Sequence, residues 1–457
     1  MKSFFAQLPK NQDGSLLITA AICAGIMAIL VGGFLSFISN EYTFNLRSHR
    51  WTQALHIAEG GVDRAVAEFN NYYITGLGGF SSSRGWYNAG GGTYWYYTSS
   101  FTNNYGENIG SMYVSVNNVG TANPYIFAYG GSPTTPRGPF IYRAVQSRLV
   151  ASGRFPAALV AKQKVDMNGN NVYTDSYDST DPAKSTGALY DPSKRFPNGD
   201  VASNDTVTNS VAIGNADIYG LAATGPNGTI TMGAQGSVGP TFNSSERATT
   251  VAEAIAKGWI RNDFQVDIPD VQLPSGATSW TSLGTLNSDR TLTAGDYWVD
   301  RVSCSAKEVI TITGGRVRLY VSGDFSMSAQ SLLVIEPGAS VEVYCGGSVT
   351  LTGNGVINNS SQPVKCQFFG LSTSTSWSVN GNGQWVGTIY APQANMALTG
   401  GGARGDMSGA IVAKNITLNG QVQFHYDESL RTSGPTASYN VASWQSYRWT
   451  GSGWISD

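Results

Sequence analysis

A long stretch near the N-terminus carries no charged side chain and constrains the fold more than any other feature. Between Asp13 and Glu41 the only ionisable side chain is Cys23, and residues 16–38 are apolar apart from Thr19, one serine and small residues. As a helix this stretch is about 34 Å long and can cross a hydrocarbon core of about 30 Å. A helix is required there because lipid offers the backbone no hydrogen-bond partner. The side chains expected to pack against lipid or other helices are Leu16, Leu17, Ile18, Thr19, Ile22, Ile26, Leu30, Phe34, Phe37 and Ile38.

The helical pattern continues beyond the apolar stretch. Apolar residues recur at steps of three and four, which indicates one face of an amphipathic helix. A secretory signal peptide fits poorly, because the apolar run is too long and no clear cleavage site follows it. The sequence predicts one helix over residues 15–70, about 80 Å long, in which Gly60 and Gly61 are the weak point. The predicted stripe is Trp51, Leu55, Ala58, Val62, Ala65 and Phe69, with Glu59, Asp63, Arg64 and Glu68 on other faces.

This N-terminal pattern resembles that of type IV prepilins. In that family a short polar leader ends in Gly and is followed by an unbroken apolar helix. Here residues 1–14 would be the leader, with cleavage between Gly14 and Ser15. The run Ala54–Ala65 resembles the stretch that marks PilX-type minor pilins. The resemblance implies processing by a prepilin peptidase, packing against other pilin-like subunits, contact with membrane lipid and a cytoplasmic N-terminus.

Two positions depart from the prepilin pattern. Most pilins have Glu as the fifth residue after the cleavage site, where it pairs with a neighbour's new N-terminal amine, and this sequence has Thr19 there. Asp13 precedes Gly14 where Lys or Arg is commoner. The missing Glu favours a minor pilin over a major subunit. The positive charges do not decide the orientation, because Lys2 and Lys10 precede the span and two arginines follow it.

Residues 71–152 have the pattern of a pilin-like antiparallel β head. Alternating runs at Met112–Val119, Pro124–Tyr129 and Tyr142–Val150 predict strands that pack on the lower half of the helix. A neighbouring aromatic cluster either stacks on a sugar or adhesive target or packs against its own domain. Its members are Thr93–Tyr97, Trp86 and Tyr87.

A repeating pattern follows. Arg316–Met327 aligns with Ser340–Leu351, each with two short alternating runs around a Gly-containing corner, and a third copy begins at Val364. A period of about 20 to 25 residues with alternating apolar positions is typical of stacked β-coils. The sequence predicts a right-handed β-solenoid over residues 153–430, with a sandwich or barrel as the alternative, and a tail or cap over residues 431–457. The predicted fold class is mainly β with one long N-terminal α-helix.

The repeat region also resembles an uncharacterised β-solenoid domain that is often attached to PilX-like N-termini. The resemblance rests on Asn215–Gly220, Gly387–Pro392, Gly409–Lys414 and Phe424–Asp427, and the second and third of these segments align with each other. It implies an architecture and no established activity. Residues 252–265 are expected to form a short helix between the early and the later coils.

Composition and motifs argue against nucleic-acid binding and catalysis. The net charge is −2 and 13% of residues are charged, so a basic surface for nucleic acid is not expected. The three histidines are His49, His56 and His425, and they belong to no recognisable nucleophilic triad. Asp166–Asn170 resembles a calcium loop but fails the EF-hand pattern, so a polar turn is the default and a non-standard calcium site the alternative. We predict no cofactor, no metal and no enzymatic activity.

Several other features have alternative interpretations. Cys304, Cys345 and Cys366 are expected to be buried thiols, or one disulfide and one free thiol. Arg404–Asp406 is similar to an integrin-binding tripeptide, and Gly400–Gly405 fits a weak dinucleotide-binding pattern that a Gly-rich corner explains better. A polysaccharide-cleaving solenoid would need converging carboxylates. The candidate carboxylates occupy unrelated positions within the repeat, so they are not expected to converge on one site. They are Asp324, Glu336, Glu342 and Asp406.

The sequence as a whole predicts a single-pass membrane protein of a cell envelope. It would be a non-enzymatic structural component of a type IV pilus-like or pseudopilus assembly, with the helix in the membrane or filament core. The β-solenoid would lie outside, for adhesion or spacing, with surface polysaccharide as one partner. The alternatives are a membrane-anchored carbohydrate-binding or carbohydrate-cleaving β-helix protein, and a plain envelope protein that never enters a filament.

Overall fold

The computed structural model describes residues 13–73, 79–102, 104–121, 123–134, 138–169, 171–352, 355–381, 385–400, 406–433 and 436–457. The chain divides into two compact units. The first comprises Met1–Tyr73, Gly78–Val150 and Val441–Asp457, and the second comprises Ile74–Leu77 and Ala151–Asn440. Most of the leader predicted over residues 1–14 lies outside the described residues.

One helix dominates the start of the first unit. It runs without a break over Asp13–Ala67, and a π-helical turn at Glu68–Tyr73 continues it. Its 55 residues extend about 80 Å at the usual helical rise. The prediction of one long helix is confirmed, and the expected weak point at Gly60 and Gly61 remains helical.

The first unit also contains an antiparallel sheet. Its three central strands confirm the runs predicted at residues 112–150, whereas the N-terminal hairpin and the C-terminal strands were not predicted. Gly91 and Gly92 form the hairpin turn with φ of +60° and +74°, a region that glycine adopts without strain. In sheet order the strands are Trp86–Gly90, Thr93–Thr102, Asn108–Asn117, Tyr125–Pro133, Phe140–Gly153, Thr436–Trp449 and Trp454–Ser456.

Glycines allow the helix and this sheet to approach closely. A Cβ on Gly61 would lie 2.9 Å from Val114 Cγ2 and 3.1 Å from Ala128 Cβ. A Cβ on Gly130 would lie 2.2 Å from the carbonyl oxygen of Ala54. The predicted apolar stripe is buried in this contact at Ala58, Val62, Ala65 and Phe69, while Trp51 and Leu55 are half-buried and Ala54 is fully buried.

Glu68 is buried, although the helical pattern places it away from the apolar stripe. Its carboxylate accepts hydrogen bonds of 3.0 and 3.1 Å from Arg84 Nε. Arg64 donates to the carbonyl oxygen of Arg84 at 2.9 Å, and its guanidinium lies 4.1 Å from the ring centre of Tyr96. Burial of the carboxylate is tolerated because these partners replace water.

The second unit is built from parallel strand pairs in a helix-like arrangement. Arg316–Val321 pairs with Ser340–Cys345 in the register that the sequence repeat predicts, and Gly387 pairs with Gly409 as predicted. The register predicted for the third copy is wrong by two residues, because Val341 pairs with Cys366 and not with Val364. Alternation survives this shift, since a two-residue slip keeps every side chain on the same face.

The strands of the second unit form two parallel sheets. In chain order the larger sheet contains Leu159–Ala161, Val165–Asp166, Tyr173–Tyr177, Val201–Ser203, Val211–Ala212, Asp217–Ile218, Ala222–Ala223, Ile230–Thr231, Ser237–Val238, Ile260–Arg261, Thr281–Ser282, Thr285–Leu286, Gly295–Val299, Arg301–Cys304, Arg316–Val321, Phe325–Met327, Ser340–Cys345, Val349–Leu351, Cys366–Gly370, Ser376–Gly381, Trp385–Gly400, Asp406–Gly420 and Gln423–Asp427. The smaller sheet contains Arg290–Leu292, Val309–Ile312, Leu332–Ile335 and Val356–Asn358.

Short helical segments interrupt the strands of the second unit. The helix expected over residues 252–265 is shorter and lies at Val251–Ala256, and Ile260–Arg261 is a strand. Thr250 caps the helix N-terminus by accepting from the backbone N–H of Glu253. A second short α-helix is Leu430–Ser433. The 3₁₀ helices of this unit are Pro192–Lys194, Ala277–Ser279 and Pro363–Lys365, and the first unit has one at Ser82–Arg84.

The strand ladder does not follow chain order. Leu159–Ala161 pairs on one side with Val201–Ser203 and on the other with Ile411–Ala413. The early strands extend the ladder in one direction as far as Ile260–Arg261, and the later strands begin at the far end with Thr281–Ser282. Residues 262–280 therefore cross back over the ladder, and the last coil closes beside the first.

Alternating side chains fill the core of this unit. In Arg316–Val321 the apolar residues Val317, Leu319 and Val321 are buried, and the intervening residues face outward. The cysteines among the core residues are the free thiols Cys304, Cys345 and Cys366, so the buried-thiol interpretation is confirmed.

Candidate functional site: the apolar helix surface

The upper part of the N-terminal helix is an uncovered apolar surface, here called the apolar helix surface and defined as residues 16–38. Every side chain along it is exposed within the chain. In the described part of the protein this is the one helix long and apolar enough to cross a membrane. Transfer of a large apolar side chain out of water is worth about 1.5–3 kcal/mol, so such a surface favours a covering of lipid or protein.

All residues predicted to pack in a membrane or filament lie on this surface. Gly14 and Ser15 precede it in the first turn of the helix, and cleavage between them stays a prediction. The large apolar residues of the predicted set are 45–74% exposed. They are Leu16, Leu17, Ile18, Ile22, Ile26, Leu30, Phe34, Phe37 and Ile38, and Thr19 is exposed among them.

Three glycines interrupt the large side chains of this surface. A Cβ on Gly25, Gly32 or Gly33 would meet no described atom within 4 Å. Packing within the chain therefore does not explain them, and glycine weakens an isolated helix by about 1 kcal/mol relative to alanine. Small residues in apolar helices allow neighbouring backbones to approach closely. The surface thus has both bulky residues and flat positions suited to another helix.

A second candidate is a polar cluster in the second unit. Asp175 and His425 are fully buried, and His425 Nδ1 donates to Asp175 Oδ1 at 2.5 Å. Tyr190 Oη and Arg195 Nη1 donate to the other carboxylate oxygen at 2.8 and 3.4 Å. Ser408 pairs in register with His425, which pairs with Asp175, so three residue types of a nucleophilic triad lie side by side.

The polar cluster is closed to a substrate. The ring of Tyr190 stacks on that of His425 with centroids 3.5 Å apart, and Ser408 is 1% exposed. His425 Nε2 has no hydrogen-bond partner among the described residues. A triad nucleophile must hydrogen-bond to its base and reach a substrate carbonyl, and this geometry provides neither. The sequence did not link Asp175 to His425, because 250 positions separate the two residues.

The other predicted candidates fall at separate places. In the calcium-like segment, Asp166 forms a 2.9 Å ion pair with Lys164 and accepts from Asn168. Among the candidate carboxylates, Glu342 is paired with Arg316, and Asp324 accepts from the backbone N–H of Ser348 at 2.8 Å. No group of His, Cys, Asp and Glu suited to a metal occurs among the described residues. Most of Arg404–Asp406 and of the Gly400–Gly405 pattern lies outside those residues.

The aromatic cluster near residue 95 is divided between the two faces of the sheet. Trp86 is buried against Phe80, with ring centroids 4.9 Å apart, and Tyr96 lies beneath Arg64. Tyr87 and Tyr97 are 56% and 53% exposed. Part of the cluster therefore packs against its own domain, and part is open.

Comparisons with known proteins give one family match. Residues 262–433 match the family described as Domain of unknown function (DUF7305). The match begins just after strand Ile260–Arg261, where the chain crosses back over the ladder, and ends with helix Leu430–Ser433. It thus covers the crossover and the later coils, and leaves out the early coils that complete the same ladder.

The comparison with solved structures found the competence-associated pilin ComZ from Thermus thermophilus. The two chains are 11% identical, and the alignment covers 87% of this chain and 97% of that chain with a TM-score of 0.21. A TM-score of this size carries no argument about fold or function. No curated protein matches the sequence.

Proposed function

We propose that this chain is a non-enzymatic, single-pass structural subunit of a pilus-like or pseudopilus assembly. The observation that carries the proposal is the apolar helix surface, which is exposed on all sides and belongs to the same unbroken helix whose lower half packs on the sheet of the first unit. The prepilin-like sequence pattern supports processing between Gly14 and Ser15. Thr19 stands where most pilins have Glu, which favours a minor subunit. Residues 1–14 would be the leader and residues 71–152 a pilin-like head.

The apolar helix surface would serve in two environments in turn. Before assembly, lipid would cover it, with the N-terminus in the cytoplasm and the rest outside. After assembly, helices of other pilin-like subunits would replace the lipid, and Gly25, Gly32 and Gly33 would allow their close approach. The lower half of the helix is already held by the sheet, so a neighbouring subunit needs to cover only the upper half.

We assign residues 153–430 to a right-handed β-solenoid that acts outside the membrane as a spacer or adhesion domain. Parallel registers between successive copies and alternating inward apolar residues support this assignment. Such a stack is stiff, because each coil pairs with the coils above and below it. Surface polysaccharide would be one adhesion target.

A carbohydrate-cleaving solenoid is supported less well. Two outward carboxylates of the ladder are engaged by arginines: Arg316 binds Glu342 at 2.7 and 2.8 Å, and Arg318 binds Asp296 at 2.6 Å through Nε. Glycosidic cleavage needs an acid and a base that face one bond. Carboxylates neutralised in this way offer neither.

The proposal is tested by N-terminal sequencing and helix cross-linking of the protein in its native membranes. Cys23 is an exposed thiol on the apolar helix surface, whereas the other cysteines are buried. Single cysteines at each position from 20 to 26, in a Cys23→Ser background where needed, sample every side of the helix and are oxidised with copper phenanthroline. We expect Ser15 as the mature N-terminus and cross-linking that recurs with the helical period.

The result that overturns the proposal is a protein that retains Met1 or Lys2 and gives no cross-link at any of the seven positions. That outcome would indicate a plain envelope anchor surrounded by lipid. The Cys23→Ser protein without a new cysteine is the control, because the remaining thiols are buried in the second unit.

A further inference from the structure

The sheet of the first unit carries a row of aromatic rings on the face that the helix does not cover. Side chains alternate along a strand, so Tyr113 and Tyr129 point away from the helix that Val114 and Ala128 contact. Neighbouring rings lie 4.6–6.5 Å apart between centroids. In order across the sheet the row consists of Tyr87, Trp95, Tyr113, Tyr129, Trp454 and Trp449.

The row ends in a cleft. Its volume is about 310 Å³, at the lower end of the range of small-ligand sites. The lining combines aromatic rings with hydroxyl groups, and none of the described lining residues is charged. The lining residues are Tyr97, Ser111, Tyr129, Tyr142, Trp449 and Trp454.

The phenol of Tyr129 remains neutral at physiological pH. Burial, followed by the neighbouring phenols, raises the pKa of Tyr129 above its ordinary value. A neutral phenol both donates and accepts a hydrogen bond, as does the hydroxyl of Ser111. The cleft therefore presents hydrogen-bonding hydroxyls between flat apolar faces.

Arg143, which follows the cleft residue Tyr142 in the same strand, is engaged elsewhere. Arg143 forms an ion pair with Asp457, donates through Nε to the carbonyl oxygen of Tyr447 at 3.2 Å and lies 4.4 Å from the ring centre of Trp51. Its side chain is 6% exposed. Arg143 is consequently not available as a cation for an anionic ligand in the cleft, and the described lining residues carry no charge.

We propose that this cleft binds a neutral oligosaccharide. A sugar ring has an apolar C–H face and a rim of hydroxyls, which match the aromatic faces and the phenol and serine hydroxyls, respectively. The cleft accommodates about one or two sugar rings, and the aromatic row extends the contact along the sheet. The proposal concerns the first unit and does not depend on the role assigned to the apolar helix surface.

The test measures binding by the full chain in detergent micelles. The probes are the neutral maltoheptaose, cellohexaose and mannan, with the acidic polygalacturonate as comparison, and the readouts are calorimetry and tryptophan fluorescence. We expect at least one neutral probe to bind and polygalacturonate not to bind. Trp449→Ala and Tyr97→Ala, which alter half-exposed side chains, should each weaken binding about tenfold or more.

Tyr105→Ala is the matched control, because Tyr105 is 89% exposed and does not line the cleft. It should bind like the unaltered protein. Circular dichroism and the unfolding midpoint of each variant show that loss of binding is not loss of folding. The proposal is wrong if no neutral probe binds at millimolar concentration, if only the acidic probe binds, or if the cleft variants bind normally. It is also wrong if the unaltered protein self-associates in a concentration-dependent way and both cleft variants abolish that association. In that case the cleft binds a second copy of the chain and not a sugar.

Discussion

His425 and Asp175 form a fully buried hydrogen-bonded pair at 2.5 Å, although 250 positions separate them. The pair joins the last strand before the C-terminal helix to one of the first strands of the second unit. Tyr190 and Arg195, from the excursion between Tyr173–Tyr177 and Val201–Ser203, complete the carboxylate's hydrogen bonds. The cluster therefore ties three distant segments together without access for a substrate.

Removing either member of this pair should strongly destabilise the second unit. Removing one partner of a buried hydrogen bond leaves the other partner less well satisfied and costs about 1–3 kcal/mol. We expect Asp175→Ala and His425→Ala each to lower the free energy of unfolding by this amount, and the double variant to lose less than the sum. Urea-induced unfolding measures the effect. Asp263→Ala, which removes a solvent-exposed carboxylate, is the control and should stay within about 0.5 kcal/mol.

Replacing each of two glycines in the first unit by alanine should change the stability of the protein in opposite directions. At Gly130 the new methyl would meet the Ala54 carbonyl oxygen and force the sheet away from the helix, which should cost about 1–3 kcal/mol or more. At Gly60 the nearest contact is Met112 Cε at 3.7 Å, so Gly60→Ala should stabilise the helix by about 0.5–1 kcal/mol. Thermal unfolding in one detergent compares them. Equal shifts for the two variants would contradict the packing described here.

Asp270 should make a pH-dependent contribution to the crossover segment. Its carboxylate accepts from Gln393 at 2.7 Å and from Lys162 at 3.2 Å, and the hydrogen bond from Gln393, followed by the effect of Lys162, lowers the pKa of Asp270. A lowered pKa in the folded state stabilises the protein above the unfolded-state pKa, and the stabilisation is lost as pH falls through the folded-state value.

Asp270→Asn should therefore be less stable than the unaltered protein at neutral pH, by up to about 1 kcal/mol because the side chain is partly exposed. The difference should disappear as the pH falls through the lowered pKa. Unfolding midpoints between pH 2 and pH 7 provide the measurement. A difference that persists in acid would show that the carboxylate charge is not responsible.

Cys304 should resist alkylation in the folded protein. Burial, followed by the nearby carboxylates of Glu308 and Asp289, raises the pKa of the Cys304 thiol to about 11. The thiolate is the reactive form, so a pKa two units above the ordinary value of 9.0 lowers its fraction at pH 8 about a hundredfold. Mass spectrometry after iodoacetamide treatment, with and without urea, should show labelling of Cys304 only in urea. Rapid labelling without urea would contradict its burial.

The sequence was sufficient for features that depend on local patterns. The long helix follows from an uncharged stretch and a three-and-four spacing, and the pairing of Arg316–Val321 with Ser340–Cys345 follows from alternating apolar residues with constant spacing. The pairing register predicted for the third repeat copy was wrong by two residues. Alternation of apolar residues determines which face of the sheet a side chain occupies, but it does not determine how far the strand is shifted along its partner.

Features that depend on distant segments could not be predicted. Every coil has the same inward and outward pattern, so nothing local indicates that Leu159–Ala161 lies between Val201–Ser203 and Ile411–Ala413. The partner of His425 and the aromatic contribution of Trp449 and Trp454 were missed for the same reason. The apolar surface was recognised because its signal, the absence of charge, lies within one segment.

The position of the first coil in the middle of the ladder has a consequence for biogenesis. During synthesis, one edge of Leu159–Ala161 becomes covered once residues near 201 have emerged, while its other edge waits for residues 411–413. An unpaired parallel edge is a template for strands of other chains. A chain synthesised from its N-terminus would therefore expose an unpaired strand edge until most of the second unit has been made. Any ribosomal stalling or premature stop in the later coils should produce aggregates instead of a shortened functional protein.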